Sequence, residues 1–226
     1  MTSIVDLSHP ISAGMFTHPG LPGPSVAPFR TRESYREAAG TDFQVDRIEL
    51  VGNTGTYLDS PFHRFASGDD LAAVPLTAVV DLAIHVLPGT HRREVDVADL
   101  ADGLGAADLT GAAVLLHTGG DRAWGSEAYA DGAPFLTGDA ARWLARRRPA
   151  LVGIDAVNID DLDDTSRPAH TVLLESGVLI LEHLTGLSVL PRTGARLHAA
   201  PPAWHGVGTW PVRAYALVGD GEADPR

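Results

Sequence analysis

The residues best suited to chemistry lie in one short stretch, 53–63, which reads N-T-G-T-Y-L-D-S-P-F-H. It combines an acid, an imidazole and a phenol with a glycine and a proline, which is typical of a site rather than of a core strand. Asn53, Tyr57, Asp59 and His63 all occupy odd-numbered positions, so an extended backbone would point them to one face. A fully extended stretch of this length spans about 33 Å, too far for one small-molecule site. The chain must therefore bend, and the glycine and the proline are equipped to bend it.

The elements that must position this stretch follow from the hydrophobic pattern. Short apolar runs bounded by Gly, Pro or Asp predict strands. Two long segments rich in Pro and Gly, Gly14–Arg30 and Ala199–Trp210, are predicted to be loops able to cover a pocket. The predicted strands are Ile4–Leu7, Gln44–Val51, Val79–Leu87, Ala113–His117, Leu151–Ile154, Val178–Leu184 and Val212–Val218.

Two helices complete this prediction. The clearer one takes Thr137 as its N-cap, turns Ala140, Trp143 and Leu144 inward, and ends before Pro149. A shorter helix is predicted from about Pro168 to Ser176, beginning with a proline and ending at a glycine. The alternation of strands and helices predicts an α/β or α+β fold.

Composition limits the class of protein. The chain has 226 residues, 44% of them hydrophobic, with no repeat or composition break, so one domain over residues 1–226 is predicted. Its formal charge of −12 argues against a nucleic-acid or anionic-membrane partner, and the expected partner is a small-molecule substrate. The start lacks the basic and apolar regions of a signal peptide, and the sequence has no cysteine. The expected compartment is the cytoplasm.

The stretch 53–63 resembles the signature of the cyclase family, His-x-Gly-Thr-His-x-Asp-x-Pro-x-His. This family includes bacterial kynurenine formamidases and isatin hydrolases. The resemblance implies the family's β/β/α arrangement, a hydrolase activity and a homo-oligomer, dimer or tetramer. Other segments resemble the family in the same order along the chain: Val5–Ile11, Met15–Gly20, Leu151–Asp160, the pair His170 and Glu182, and Trp210–Ala214.

The resemblance also assigns roles. It implies that Asp59, His170 and Glu182 hold the second metal of a two-metal site, both carboxylates bridging, and that His63 carries the proton. The first two signature histidines are replaced by Asn53 and Tyr57. An amide and a phenol are poor substitutes for imidazole on zinc.

We assign three residues to substrate binding, His18, Asn53 and Tyr57. His18 stands where the family places an aromatic residue. The alternative for Tyr57 is that its ring only fills volume. Other possible walls are Phe16, Trp124, Tyr129 and Trp204, and the glycines after His117 could present N–H groups to an oxyanion.

Elementary geometry supports the cluster. A helix from His170 to Ser176 advances about 9 Å. A strand from Val178 to Glu182 returns about 13 Å, so a reversal at Gly177 would bring the two ligand side chains together. One divalent cation, zinc or manganese, would be held there by two carboxylates and an imidazole. Without a metal, one carboxylate would take a proton, and Asp59 and Glu182 would serve as general acid and general base with His63 beside them.

Three functions remain open on this basis. The first is a hydrolase that opens an amide, lactam or lactone by water addition. The second is a metal-free cyclase, dehydratase or isomerase of a biosynthetic intermediate. The third, a non-catalytic binder, is the least supported because His63 and both cluster carboxylates are retained.

Overall fold

Strands dominate the structure, a computed structural model that describes residues 2–89 and 92–219. The helices are α1 (Arg32–Ala39), α2 (Val97–Leu104), α3 (Gly138–Ala145) and α4 (Pro168–Glu175). The strands are β1 (Ser3–Asp6), β2 (Ser25–Arg30), β3 (Val45–Glu49), β4 (Tyr57–Asp59), β5 (Val80–Leu87), β6 (Glu94–Val95), β7 (Ala113–Leu116), β8 (Phe135–Leu136), β9 (Leu151–Ile154), β10 (Leu179–Glu182), β11 (Ala195–His198), β12 (Thr209–Pro211) and β13 (Tyr215–Val218).

One mixed sheet organises the described residues. Its nine strands run in the order β1-β13-β11-β5-β7-β9-β10-β4-β12. The central strands β5, β7, β9 and β10 are parallel, and antiparallel strands extend the sheet on both sides. The predicted mixed α+β fold in a single domain is therefore confirmed.

Apolar side chains cover both faces of the sheet. Successive residues of a strand point to opposite faces, so each buried strand contributes to two cores. On β7, Val114 and Leu116 join the core beneath α2, α3 and α4. Their neighbours Ala113 and Leu115 join a second core, which the curled sheet forms with residues from its outer strands. The buried central strands thus hold the strand ends, and the site residues on them, in fixed positions.

The predicted helices are found close to their predicted bounds. The side chain of Thr137 accepts the N–H of Ala140 and caps α3, whose Trp143 and Leu144 are buried. Helix α2 was missed, although Asp96 and Asp99 form a capping box at its start. Helix α1 was also missed, and it buries no residue.

Two predictions were wrong in part, one of a strand and one of a loop. The predicted strand Val212–Val218 begins only at Tyr215, because the chain first leaves β12 after Pro211. The predicted loop Gly14–Arg30 ends in β2, which pairs with β3 as an exposed hairpin.

No helix in the described part of the chain has both the length and the apolar character needed to cross a bilayer.

Candidate active site

Strand β4 lies between β10 and β12 and brings the polar side chains of three strands together. Its Tyr57 is opposite Glu182 on β10, and its Asp59 is opposite Thr209 on β12. Asp59 and Glu182 are completely buried. Two carboxylates at such a depth must be paired, hydrogen-bonded or bound to a cation. The pairing register therefore builds the acidic half of a site.

His170 enters this site from the first turn of α4. The carboxylate of Asp160 accepts its Nδ1–H at 2.7 Å and its backbone N–H at 3.0 Å. This leaves Nε2 directed at the acids, 3.6 Å from Asp59 Oδ2 and 3.7 Å from Glu182 Oε1. Gly177, at φ 74°, reverses the chain between α4 and β10 as predicted. The structure thus brings together the three predicted ligands.

Asp160 is a site residue that the sequence analysis missed. It lies at the end of the segment that carried the resemblance, but no role was assigned to it. Its carboxylate also accepts the N–H of Ala169 at 2.6 Å, so it caps α4 while fixing the ring of His170. A carboxylate behind a histidine commonly orients that ring toward a metal.

The charges in the cluster depend on one another. Burial alone would lower the pKa of His170, but the charge of Glu182, the hydrogen bond to Asp160 and the nearby carboxylate of Asp59 raise it to about 10. Burial raises the pKa of Glu182 to about 7, against the opposing effect of His170. Burial also disfavours ionised Asp59, yet His63 and His170 hold its pKa below the usual value. The cluster therefore carries an ionised Asp59 beside a cationic His170.

His63 is connected to Asp59 through a threonine. Thr209 Oγ1 donates to Asp59 Oδ1 and lies 2.6 Å from His63 Nδ1. Because Thr209 has one proton and gives it to a carboxylate, His63 Nδ1 must be the donor to Thr209. The Nε2 of a neutral His63 is then the unprotonated nitrogen. Thr209 was missed because it lay in a predicted loop, and only its register with Asp59 reveals its role.

Tyr57 is buried, and its hydroxyl donates to Glu182 Oε2. Burial, followed by the nearby charges of Glu182 and Asp59, raises its pKa well above the usual value, with an opposing contribution from Asn53. The phenol therefore stays protonated. Of the two alternatives for Tyr57, the ring does fill volume, but its hydroxyl also has a defined partner.

A cavity of about 330 Å³ opens onto the cluster. All three predicted substrate-binding residues line it, so their placement agrees with the assignment, while their role stays a prediction. None of the four aromatic residues proposed as walls is among its lining residues. The lining consists of His18, Pro19, Gly20, Leu21, Asn53, Tyr57, His63, Arg64, Asn158, Arg167 and His170.

An aromatic cluster behind Tyr57 accounts for two of those four residues. Trp124 stacks on His9 with ring centroids 3.8 Å apart and meets Tyr129 edge-on. His183, fully buried, lies 5.0 Å from the Tyr57 ring, centroid to centroid. Burial lowers the pKa of His183 to about 3, so it packs as a neutral ring. The cluster supports the back of Tyr57 and was not predicted.

The predicted oxyanion contacts near His117 are wrong. The N–H of Gly119 donates to Asp155 Oδ2 at 2.8 Å, and the N–H of Gly120 donates to Thr118 Oγ1 at 3.2 Å. Both N–H groups stabilise the turn after β7 and are not free for a ligand.

The donor set fits one divalent cation. Asp59, His63 and His170 each offer an atom within 4.8 Å of the other two. Asp59 Oδ2 is buried and has no hydrogen-bond partner among the described residues, although it faces His170 Nε2. A metal cation bound there would satisfy this oxygen and would replace the proton on His170 Nε2. Glu182 borders the same place, with each of its oxygens also accepting a hydrogen bond.

Comparison with known proteins places this site in a family. A family model described as putative cyclase matches residues 5–161. The chain belongs to the cyclase family. It is 29% identical over 186 residues to a kynurenine formamidase of Bacillus cytotoxicus, which covers 80% of this chain and 81% of the relative. A kynurenine formamidase of Bacillus cereus is 29% identical over 215 residues, covering 93% of this chain and 95% of the relative.

Solved structures agree with the fold. Isatin hydrolase A from Labrenzia aggregata, bound to benzyl benzoate, superposes with a TM-score of 0.82 at 23% identity, covering 96% of this chain and 94% of that one. A potential metal-dependent hydrolase with cyclase activity superposes with a TM-score of 0.78 at 26% identity, over 100% of both chains. Together with the relatives in sequence, these matches indicate a cyclase-family hydrolase.

Proposed function

We propose that the protein is a one-metal hydrolase that opens an amide, lactam or lactone carbonyl. The observation that supports this most is the buried Asp59 Oδ2, which has no hydrogen-bond partner among the described residues and faces His170 Nε2 at 3.6 Å. His170 is held in that direction by Asp160, the arrangement expected of a metal-ligating imidazole. The formamidase and isatin hydrolase names of the relatives support an amide or lactam substrate.

Asp59, His170 and Glu182 would hold the cation, zinc or manganese. When bound, it would polarise the substrate carbonyl and lower the pKa of a water molecule toward neutrality. The two carboxylates would balance its charge, and metal binding would displace the proton from His170 Nε2. Tyr57 keeps its proton and donates a hydrogen bond to Glu182, which fits one cation rather than two.

His63 is the proposed proton carrier. Its Nδ1–H is held by Thr209, which is held in turn by Asp59, so the ring is oriented on one side and Nε2 is free to accept a proton. Nε2 would take a proton from the attacking water and deliver it to the leaving group. This places His63 in the role of a general base and then of a general acid.

A metal-free cyclase, dehydratase or isomerase is the second candidate. Two observations favour it. Asn53 and Tyr57 replace signature histidines, and His170, with its pKa near 10, already balances much of the acidic charge. In this case Glu182, whose pKa burial raises to about 7, would hold a proton within the cluster, and His63, which lines the cavity, would exchange a proton with the substrate.

Metal content and hydrolysis, measured together, distinguish the two functions. The purified protein would be dialysed, analysed for bound elements, and tested on formanilide, isatin and dihydrocoumarin with and without a chelator. We expect about one zinc or manganese per chain and turnover of at least one compound that the chelator abolishes and added metal restores. A protein free of metal that hydrolyses none of the three, with or without added metal, would support the metal-free candidate.

Replacing Tyr57 by phenylalanine should shift the pH dependence of metal binding. The change removes a hydrogen bond that lowers the pKa of Glu182, so that pKa should rise. Glu182 must lose its proton to bind a cation, so half-maximal metal affinity should move to higher pH. The unpaired carboxylate oxygen should also reduce the free energy of unfolding by about 1–3 kcal/mol. Metal titration across pH and thermal unfolding would measure the two effects.

Tyr129 supplies the matched control. It is also a buried tyrosine beside the same aromatic cluster, but its hydroxyl has no hydrogen-bond partner in the described residues. Tyr129→Phe should therefore leave the pH dependence unchanged. An equal shift in both variants would mean that the hydroxyl of Tyr57 has no specific effect on Glu182.

A further inference from the structure

Two arginines, Arg64 and Arg167, line the cavity beside the cluster. Arg64 donates from Nε to Thr171 Oγ1 at 3.2 Å and from Nη2 to the carbonyl of Ser166 at 3.3 Å. Arg167 donates from Nη1 to the carbonyl of Asp161 at 2.7 Å. Both guanidinium groups are thus fixed to the same segment, residues 161–171.

Neither arginine forms a salt bridge with a described carboxylate, although hydrogen bonds and the charge of Arg167 together lower the pKa of Asp164. Within residues 2–89 and 92–219, no carboxylate lies within salt-bridge distance of either one, although the chain has 29 acidic and 17 basic residues. Arginines elsewhere, such as Arg93 and Arg196, bind aspartates. The contacts of Arg64 and Arg167 are with neutral oxygens, and they leave Nη1 of Arg64 and Nη2 of Arg167 without a partner in the described residues. The pair therefore lines the cavity with guanidinium groups that form no salt bridge and keep free donors among the described residues.

Both arginines are close in sequence to residues of the proposed active site. Arg64 follows the proton carrier His63 directly, and Arg167 precedes His170 by three residues at the start of α4. A ligand in this cavity can therefore meet the cluster with one group and the arginines with another. An anion so close to Asp59 and Glu182 would be repelled unless cations compensated for them.

We propose that the substrate carries a carboxylate besides its scissile carbonyl, and that Arg64 and Arg167 bind this carboxylate. The reaction of such a substrate rests on the proposed hydrolysis, whereas its binding by the two arginines does not. Planar guanidinium groups present paired N–H donors that match a carboxylate. A role limited to fastening residues 161–171 would explain the hydrogen bonds, but it would not need two unpaired charges at a cavity.

A matched pair of substrates tests this directly. The pair is 2-formamidobenzoate and its methyl ester, which differ in one negative charge. The wild-type protein should show a kcat/KM at least about tenfold higher for the acid. The double variant Arg64→Gln/Arg167→Gln should lose this preference through a raised KM for the acid, so that kcat/KM for the acid falls toward the value for the ester. Arg64 is exposed, so Arg64→Gln alone gives a second reading if the double variant does not fold.

Arg192 provides the control. Like Arg167, it donates to a backbone carbonyl, that of Gly103, but it does not line this cavity. Arg192→Gln should keep the preference for the acid. A fastening role for Arg64 and Arg167 would instead lower turnover of acid and ester by the same factor, and that result would overturn the proposal.

Equilibrium binding separates this proposal from the proposed hydrolysis. Benzoate and benzamide would be titrated into the purified proteins by calorimetry, with no turnover required. Benzoate should bind the wild type at least about tenfold more tightly than benzamide, and the double variant should not distinguish them. Failure to hydrolyse either formamide would count against the reaction alone. Equal binding by the wild type, or a preference that survives in the double variant, would overturn the carboxylate site.

Discussion

His63→Gln should reduce kcat by about 10²–10⁴, the range expected when one positioned proton carrier is lost. Glutamine retains hydrogen-bonding atoms near Thr209 but has no group that titrates near neutral pH. The metal content should be unchanged, because the proposed ligands are Asp59, His170 and Glu182. Steady-state kinetics on any compound that the wild type hydrolyses, together with elemental analysis, would measure both effects.

Two results would contradict this assignment. A variant within a few-fold of the wild type at every pH would mean that another group moves the proton. Loss of the metal would mean that His63 is a ligand, which its position in the group with Asp59 and His170 allows. His205 is the control, since its side chain is 93% exposed and lies outside the cavity lining. His205→Gln should leave kcat and metal content unchanged.

Most of the central sheet could be predicted because its strands have a regular hydrophobic pattern. Strand β9 matches its prediction at both ends, and β5 and β7 differ from theirs by a single residue, since buried parallel strands are continuous apolar runs. Strands β4 and β12 have only three residues each and lie in segments selected for chemistry and for turns. These two strands pair with segments distant in sequence, so no local hydrophobic pattern predicts their pairing.

The same distinction applies to the site. Gly177 and the lengths of α4 and β10 were enough to bring His170 to Glu182. The residues that support the ligands were not predictable in that way. Thr209 and Asp160 have the side chains of ordinary turn residues, and their roles arise from register with β4 and from the capping of α4. Sequence reasoning therefore identified the proposed ligands and the proposed proton carrier but not the residues that orient them.

His170→Ala should abolish stoichiometric metal binding. His170 is the one imidazole among the three proposed ligands, and its removal leaves two carboxylates with no neutral partner on the cation. Metal polarisation of a carbonyl is worth several kcal/mol, so kcat/KM should fall by about 10³. Elemental analysis of the dialysed variant and assays with added zinc or manganese would measure these effects.

The fold should survive this substitution. Asp160 keeps its hydrogen bonds to the backbone N–H groups of Ala169 and residue 170, so α4 stays capped when the ring is removed. Circular dichroism and a cooperative thermal transition would verify this. Asp160→Ala should weaken metal affinity by about 10- to 100-fold instead of abolishing binding, because it releases the ring but leaves the ligand in place. Full metal occupancy in His170→Ala would refute the proposed ligand set. It would also remove the reason for Asp160 to hold the ring toward Asp59.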